Sequence, residues 1–136
     1  MKPRINFLTI AVTDLKKSIA FYKDGLGLYT KGIQNDNEEH CLFELDNDFS
    51  LVLYRRKEFL GLTGNPNQTE KSAGFIISHI ADSKDQVDTI LRKALEAGAT
   101  QIGQIQDEPW GYSANYADPD GHRWEITFMP HYKNKE

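Results

Sequence analysis

The residues of this chain best suited to chemistry lie near its end, in the phrase HRWEITF, where Glu125 stands two residues beyond Arg123. In an extended strand, residues two apart project from one face. A carboxylate so placed either serves as a general base toward a carbonyl compound or is neutralised by the arginine in an ion pair, and the sequence leaves both readings open. Arg55 is a second guanidinium of interest, either as partner to that carboxylate or as a clamp for an anionic or carbonyl-bearing ligand. Trp110 and Tyr112, in EPWGYS, suit a lid over a flat ligand and equally the edge of a core or of a subunit contact. None of the four histidines pairs with Glu125 at a metal-ligand spacing. His122 and His131 are expected to face solvent, His40 falls at a strand entrance, and His79 sits beside a helix start. Cys41 has no neighbouring base in sequence and reads as an inert packing thiol.

The elements that must position these residues follow from periodicity. INFLTIAV, residues 5–12, is a strand, and TDLKKSIAFYKDGLG is a helix with Leu15, Ile19 and Tyr22 on one face, capped by Thr13 or Asp14 and ended by Gly25 or Gly27. A strand is expected at Tyr29 to Ile33, then HCLFEL and FSLVLYRR joined by a tight turn at Asp46, Asn47 and Asp48. EFLGLTGNPNQTEKS, rich in turn formers, reads as a linker. The same order then returns: GFIISHI as a strand, DSKDQVDTILRKALEAG as a helix, and TQIGQI, YSANYA and HRWEITF as strands, the last two joined by the turn Asp118, Pro119, Asp120, Gly121. Gly98 follows Gly27 by 71 residues and Asp118 follows Asp46 by 72, so the halves keep one register. The chain is thus an α+β protein of one domain over residues 1–136, with a first βαβββ module at about 5–56, a linker at about 57–72 and a second module at about 73–129.

Composition excludes several classes. With 39% hydrophobic and 26% charged residues the 136-residue chain is ordinary globular material. A formal charge of -4, a sequence pI near 5.6 and scattered basic residues argue against nucleic acid as a partner. MKPRINFLTIAV reads as a first strand, not a signal peptide, and no stretch approaches the ~20 apolar residues of a membrane span. A single cysteine fits a reducing cytoplasm.

INFLTIAVTDLKKSIAFYKDGLGL and YADPDGHRWEITF resemble the two signature segments of the vicinal oxygen chelate superfamily, which holds glyoxalase I, extradiol dioxygenases, fosfomycin-resistance transferases and bleomycin-resistance proteins. The resemblance covers nearly the whole chain. It implies two βαβββ modules whose sheets curve around a small-molecule cup with helices outside, and metal ligands on the first and last strand of each module. Carried onto this chain, those four positions fall on Phe7, Leu53, Gly74 and Glu125, where Phe7 replaces a histidine and only Glu125 can bind a metal. No metal and no other cofactor is expected.

Strand parity then sends Phe7, Thr9 and Ala11 toward the cup, with Leu51, Leu53 and Arg55 and with Arg123, Glu125 and Thr127, leaving Leu8, Ile10, Val12, Trp124, Ile126 and Phe128 to pack under the helices. The 72-residue shift matches Phe43 to Asn115, which makes Asn115 a wall residue. The expected cup has an apolar floor of Phe7, Leu51, Leu53 and Ile76, polar groups at Thr9, Asn115, Arg55, Arg123 and Glu125, and Trp110 and Tyr112 at its rim. That composition suits a small apolar or carbonyl-bearing ligand. The first functional expectation is a metal-free binding protein, and the alternative is a metal-independent lyase or isomerase with Glu125 as general base. A homodimer is expected, in contact through Phe59, Leu60, Leu62 and Trp110; the same residues would equally serve a linker folded over its own cup as a lid.

Overall fold

A computed structural model describes Pro3, residues 6–63 (side chains through Phe59) and residues 76–131. The chain divides into two compact units, Met1–Glu70 and Lys71–Glu136. Ile5, Gly74 and the linker beyond Thr63 lie outside the described residues.

The first unit holds strand β1 (Phe7–Val12), helix α1 (Leu15–Ala20) running into a π-helical turn (Phe21–Gly25), strands β2 (His40–Glu44) and β3 (Ser50–Arg55), and helix α2 (Arg56–Thr63). Its sheet has the order β1-β3-β2, parallel between β1 and β3 and antiparallel between β3 and β2. Asp14 caps α1, its Oδ1 accepting from the Lys17 N–H at 3.1 Å. Beyond the π-helical turn, Gly27 takes a positive φ of 77° that ends the winding. Asn47 and Asp48 both adopt left-handed φ, 63° and 59°, and Leu45 N–H donates across them to the Phe49 carbonyl at 2.9 Å, closing the β2–β3 hairpin.

The second unit holds β4 (Ile76–Ile80), α3 (Lys84–Glu96), β5 (Thr100–Gln101), β6 (Gln106–Glu108), β7 (Gly111–Ala117) and β8 (Arg123–Phe128), with β8 between β4 and β7 and both β5 and β6 on the other side of β7. Ser83 caps α3 by accepting from Gln86 N–H at 3.0 Å, while the Gln86 side chain reaches back to Asp82 N–H at 2.6 Å. That is a capping-box arrangement displaced by one residue. Val87, Leu91 and Ala94 bury the inner face of α3 beside Ala114, Tyr116, Trp124 and Ile126.

Five expectations are corrected. The strand at Tyr29 to Ile33 reduces to one bridge, Thr30 to Phe43, because the Thr30 hydroxyl donates to the Leu42 carbonyl at 2.7 Å, accepts from Gly32 N–H, and Gly32 turns away at φ 75°. The start of the linker is helix α2, supported by an Arg55–Glu58 ion pair of 2.7 Å. TQIGQI does not run as one strand: Gly103 at φ 66° separates β5 from β6.

The fourth concerns which way β3 faces. Its register sets Leu51 beside Leu8 and Phe43, and Leu53 beside Ile10 and Cys41. Phe43 in turn packs edge-on against Tyr22, under α1. Leu51 and Leu53 therefore belong to the helix-side core, at 1% and 0% exposure, and Arg55 shares their parity. The face opposite to that one carries Phe7, Thr9, Ala11, Val52, Tyr54, His40 and Leu42 instead. The hairpins explain the slip: they close at Glu44 with Ser50 and at Ala117 with Arg123, a shift of 73 residues. The turn aspartates, 72 apart, occupy different steps of their turns, and a change of one residue reverses every side chain of a strand.

The fifth is His122, which is buried. Its Nδ1 lies 2.7 Å from Asp118 Oδ2, and Asp118 Oδ1 accepts from the backbone N–H groups of Asp120 and His122 at 2.9 and 2.8 Å. The turn before β8 is thus fastened by one carboxylate.

Candidate functional site

β8 is flanked on both sides, by β4 and by β7, so side chains on its helix-free face sit on the middle strand of three. The register places Ser78 and Asn115 on either side of Glu125, Ile76 and Ala117 beside Arg123, and Ile80 and Ser113 beside Thr127. Arg123, Glu125 and Thr127 thus share one face of β8, and Asn115 is the cross-strand partner of Glu125. Ser78 donates its hydroxyl to Glu125 Oε1 at 3.2 Å. Among the described residues, no ion pair joins Glu125 to Arg123. Arg55 holds Glu58, and Arg123 keeps a solvent-shielded Nε without a hydrogen-bond partner. Glu125 is half-buried, so the carboxylate is oriented by a neutral donor and not cancelled by a cation.

The 73-residue shift matches Glu125 to Val52 and Asn115 to Leu42, and the parallel ladders beside them match Ser78 to Thr9 and Ile76 to Phe7. Where the second unit carries a carboxylate between a hydroxyl and an amide, the first carries two aliphatic residues and Thr9. Phe7 and Ile76 are exposed to nearly the same extent, 60% and 59%, as expected for equivalent positions at the open end of matched strands. Further along the first unit's helix-free face, His40 and Tyr54 are cross-strand partners with stacked rings, 5.2 Å between centroids and 10° between planes. They border a surface cavity of about 540 Å³ with Glu39 and Lys31, and the Tyr54 hydroxyl reaches Glu39 at 3.5 Å. Sequence reasoning missed this pair and Ser78; the strand register locates both.

Tyr112 does not join Asn115. Its parity is that of Ala114 and Tyr116, and its hydroxyl donates to Asp88 on α3 at 2.6 Å while Lys84 Nζ lies 5.5 Å from its ring centroid. The hydrogen bond to Asp88 and the surrounding carboxylates push its hydroxyl up to about 12. Trp110, at the β6–β7 turn, is 69% exposed. Cys41 is buried with its Sγ 3.2 Å from the Thr30 hydroxyl, and burial pushes the thiol above its ordinary range, as suits a packing thiol. Among the described residues no three histidine, cysteine, aspartate or glutamate side chains gather at one point, and no helix is long and apolar enough to cross a membrane.

Known structures share this arrangement. A glyoxalase-related enzyme from Fulvimarina pelagi matches with a TM-score of 0.86 at 24% identity, over 98% of this chain and 93% of that one. A hypothetical protein from S. aureus matches at 0.79 and 23%, over 95% of both chains, and a glyoxalase/bleomycin resistance protein/dioxygenase family enzyme from Burkholderia phytofirmans PsJN at 0.75 and 21%, over 91% and 97%. At these identities the likeness concerns the fold. The family model matches residues 4–126, which takes in both hairpins, α1, α3 and the Glu125 face, and by that match the chain belongs to the glyoxalase/bleomycin resistance protein/dioxygenase superfamily.

Proposed function

We propose that this protein binds a small apolar or carbonyl-bearing molecule without a metal ion, with Glu125 as the polar anchor. The observation that carries this reading is the state of that carboxylate: half-buried on β8 between β4 and β7, held by the Ser78 hydroxyl, and unpaired with Arg123 among the described residues. A carboxylate meant only to stabilise the sheet would be expected to take the guanidinium two residues away. The two units are read as modules of a single domain, and the buried free thiol of Cys41 fits a cytoplasmic setting.

The donor set does not fit the metal of metal-dependent relatives. Glu125 is flanked by Ser78 and Asn115, and the family position on the first strand is occupied by Phe7, which cannot bind a metal. A transition-metal site requires about three nitrogen, sulfur or carboxylate donors. The corrected match at Val52 is no better a ligand than Leu53, and Gly74 has no side chain to offer. Elemental analysis of the purified protein is expected to find no stoichiometric transition metal; one metal per chain, lost in Glu125→Gln, overturns the metal-free reading.

The second reading, a metal-independent lyase or isomerase using Glu125 as general base, rests on the same free carboxylate. A thermal-shift screen of small carbonyl compounds and carboxylic acids tests both, since a bound ligand raises stability according to its concentration over Kd. Hits abolished by Glu125→Gln support the anchor, and hits converted to product only by the unsubstituted protein support the enzyme. A screen without any Glu125-dependent hit removes both.

A further inference from the structure

The proposed anchor has a feature that narrows the class of ligand, and the inference below rests on that reading of the Glu125 face. Arg123 and Glu125 project from one face of β8, about 7 Å apart along the strand by the usual rise, yet form no ion pair with each other among the described residues. Each is left with an unmet requirement. Arg123 takes part in no ion pair among the described residues, so its positive charge has no acidic partner. Glu125 receives the Ser78 hydroxyl on Oε1, so Ser78 has spent its proton and the carboxylate remains an acceptor. Two opposite charges held side by side and not neutralised by each other are complementary to a ligand that carries the same two functions in the opposite sense.

We propose that this face takes a small carboxylic acid bearing a hydroxyl or amine on the adjacent carbon, its carboxylate toward Arg123 and its O–H or N–H donor toward Glu125. Such a molecule satisfies both groups at once, whereas a plain acid leaves Glu125 facing an apolar tail and a plain amine leaves Arg123 unpaired. Asn115, opposite Glu125 across the β7–β8 ladder, offers an amide that can both give and accept a hydrogen bond. Ile76, the register neighbour of Arg123 and 59% exposed, lies where an aliphatic substituent on the ligand would be covered. The acid therefore has an apolar side chain.

The probes are leucine, its α-hydroxy analogue, isocaproate and isoamylamine, four molecules of one shape that differ only in which function is present. Calorimetric titration is expected to give binding of the first two, with each single-function compound weaker by about tenfold or more, the scale of one charge-assisted hydrogen bond. Glu125→Gln should reduce leucine and its hydroxy analogue to the level of isocaproate, and Arg123→Met should reduce them to that of isoamylamine, with circular dichroism verifying that both variants fold. Equal affinity for all four probes, or an equal loss for all four in both variants, overturns the assignment. So does binding of none of them by a protein whose library ligands are lost in Glu125→Gln, and in that case the anchor stands while the ligand class falls. Absence of any Glu125-dependent ligand, probes and library together, removes the anchor as well.

Discussion

At the scale of single residues, the chain separates polar groups that hold the structure from those left available. Asp118 is of the first kind. Its two oxygens accept from two backbone N–H groups and contact the His122 ring, inside a turn where both side chains are 1% exposed. Asp118→Ala leaves those donors buried and unmatched, so a loss of about 2–4 kcal/mol is expected in urea unfolding; a loss below about 0.5 kcal/mol would show that water replaces the carboxylate. Tyr112 allows a sharper test because its cause is named. The Asp88 hydrogen bond favours the neutral phenol and pushes it up to about 12. The raised value means that this contribution to stability is complete below pH 10, the ordinary tyrosine value, and is lost as pH climbs through about 12. NMR titration should find Tyr112 late, beside the buried Tyr116, whose hydroxyl burial also raises; the Tyr112 signal vanishes in Tyr112→Phe and moves down toward the ordinary value in Asp88→Asn, and a Tyr112 unmoved in the latter would mean that the contact is absent in solution. Glu125 is of the second kind, an oriented carboxylate with no cation on it among the described residues.

At the scale of elements, the face assignment makes a testable contrast between neighbours in sequence space and opposites in function. Leu53, fully buried under α1, is expected to cost about 2–5 kcal/mol as Leu53→Ala, while Leu42→Ala, on the helix-free side and 37% exposed, should cost about 1 kcal/mol or less. Equal losses in denaturant unfolding would mean that the helix-free face is packed as tightly as the core. Much of this was legible in the sequence: INFLTIAV and HRWEITF declare strands, Asp14 is one of the two caps offered for the first helix, and the shared parity of Arg123, Glu125 and Thr127 follows from alternation. What could not be read was the register between the units. Turn aspartates mark a hairpin but not the residue at which its ladder closes, and a one-residue uncertainty sent Leu51 and Leu53 to the wrong face. Segment 29–33 failed for another reason, since Thr30 spends its hydroxyl on Leu42 and Gly32 while its backbone makes a single bridge. α2 was hidden by Gly61 and Gly64, which suggest a turn, although one helical glycine costs only about 1 kcal/mol. Ser78 was invisible because hydroxyls are common on strands; only its position beside Glu125 distinguishes it.

At the scale of the whole molecule, the question is what protects the edges. Within each unit's own sheet, β1 and β2 flank β3 in the first, and β4 ends the second. Exposed edges invite pairing with another chain, and soluble proteins cover or pair them, most often in a twofold dimer. Of the residues expected at the contact, Trp110 is 69% exposed at the β6–β7 turn, so its indole is open to a second chain, and tryptophan is among the side chains that anchor such contacts. Phe59 is half-buried on α2, and the side chains of Leu60 and Leu62 lie outside the described residues. Light scattering at micromolar concentration is expected to give about twice the 15.5 kDa of one chain, and a mass of one chain removes the dimer. Trp110→Asp places a charge where an apolar contact is proposed, so it should shift the mass toward the monomer while leaving circular dichroism unchanged. A dimer untouched by that substitution would move the contact to the sheet edges, where the unpaired backbone groups of β1, β2 or β4 and not the indole would carry it.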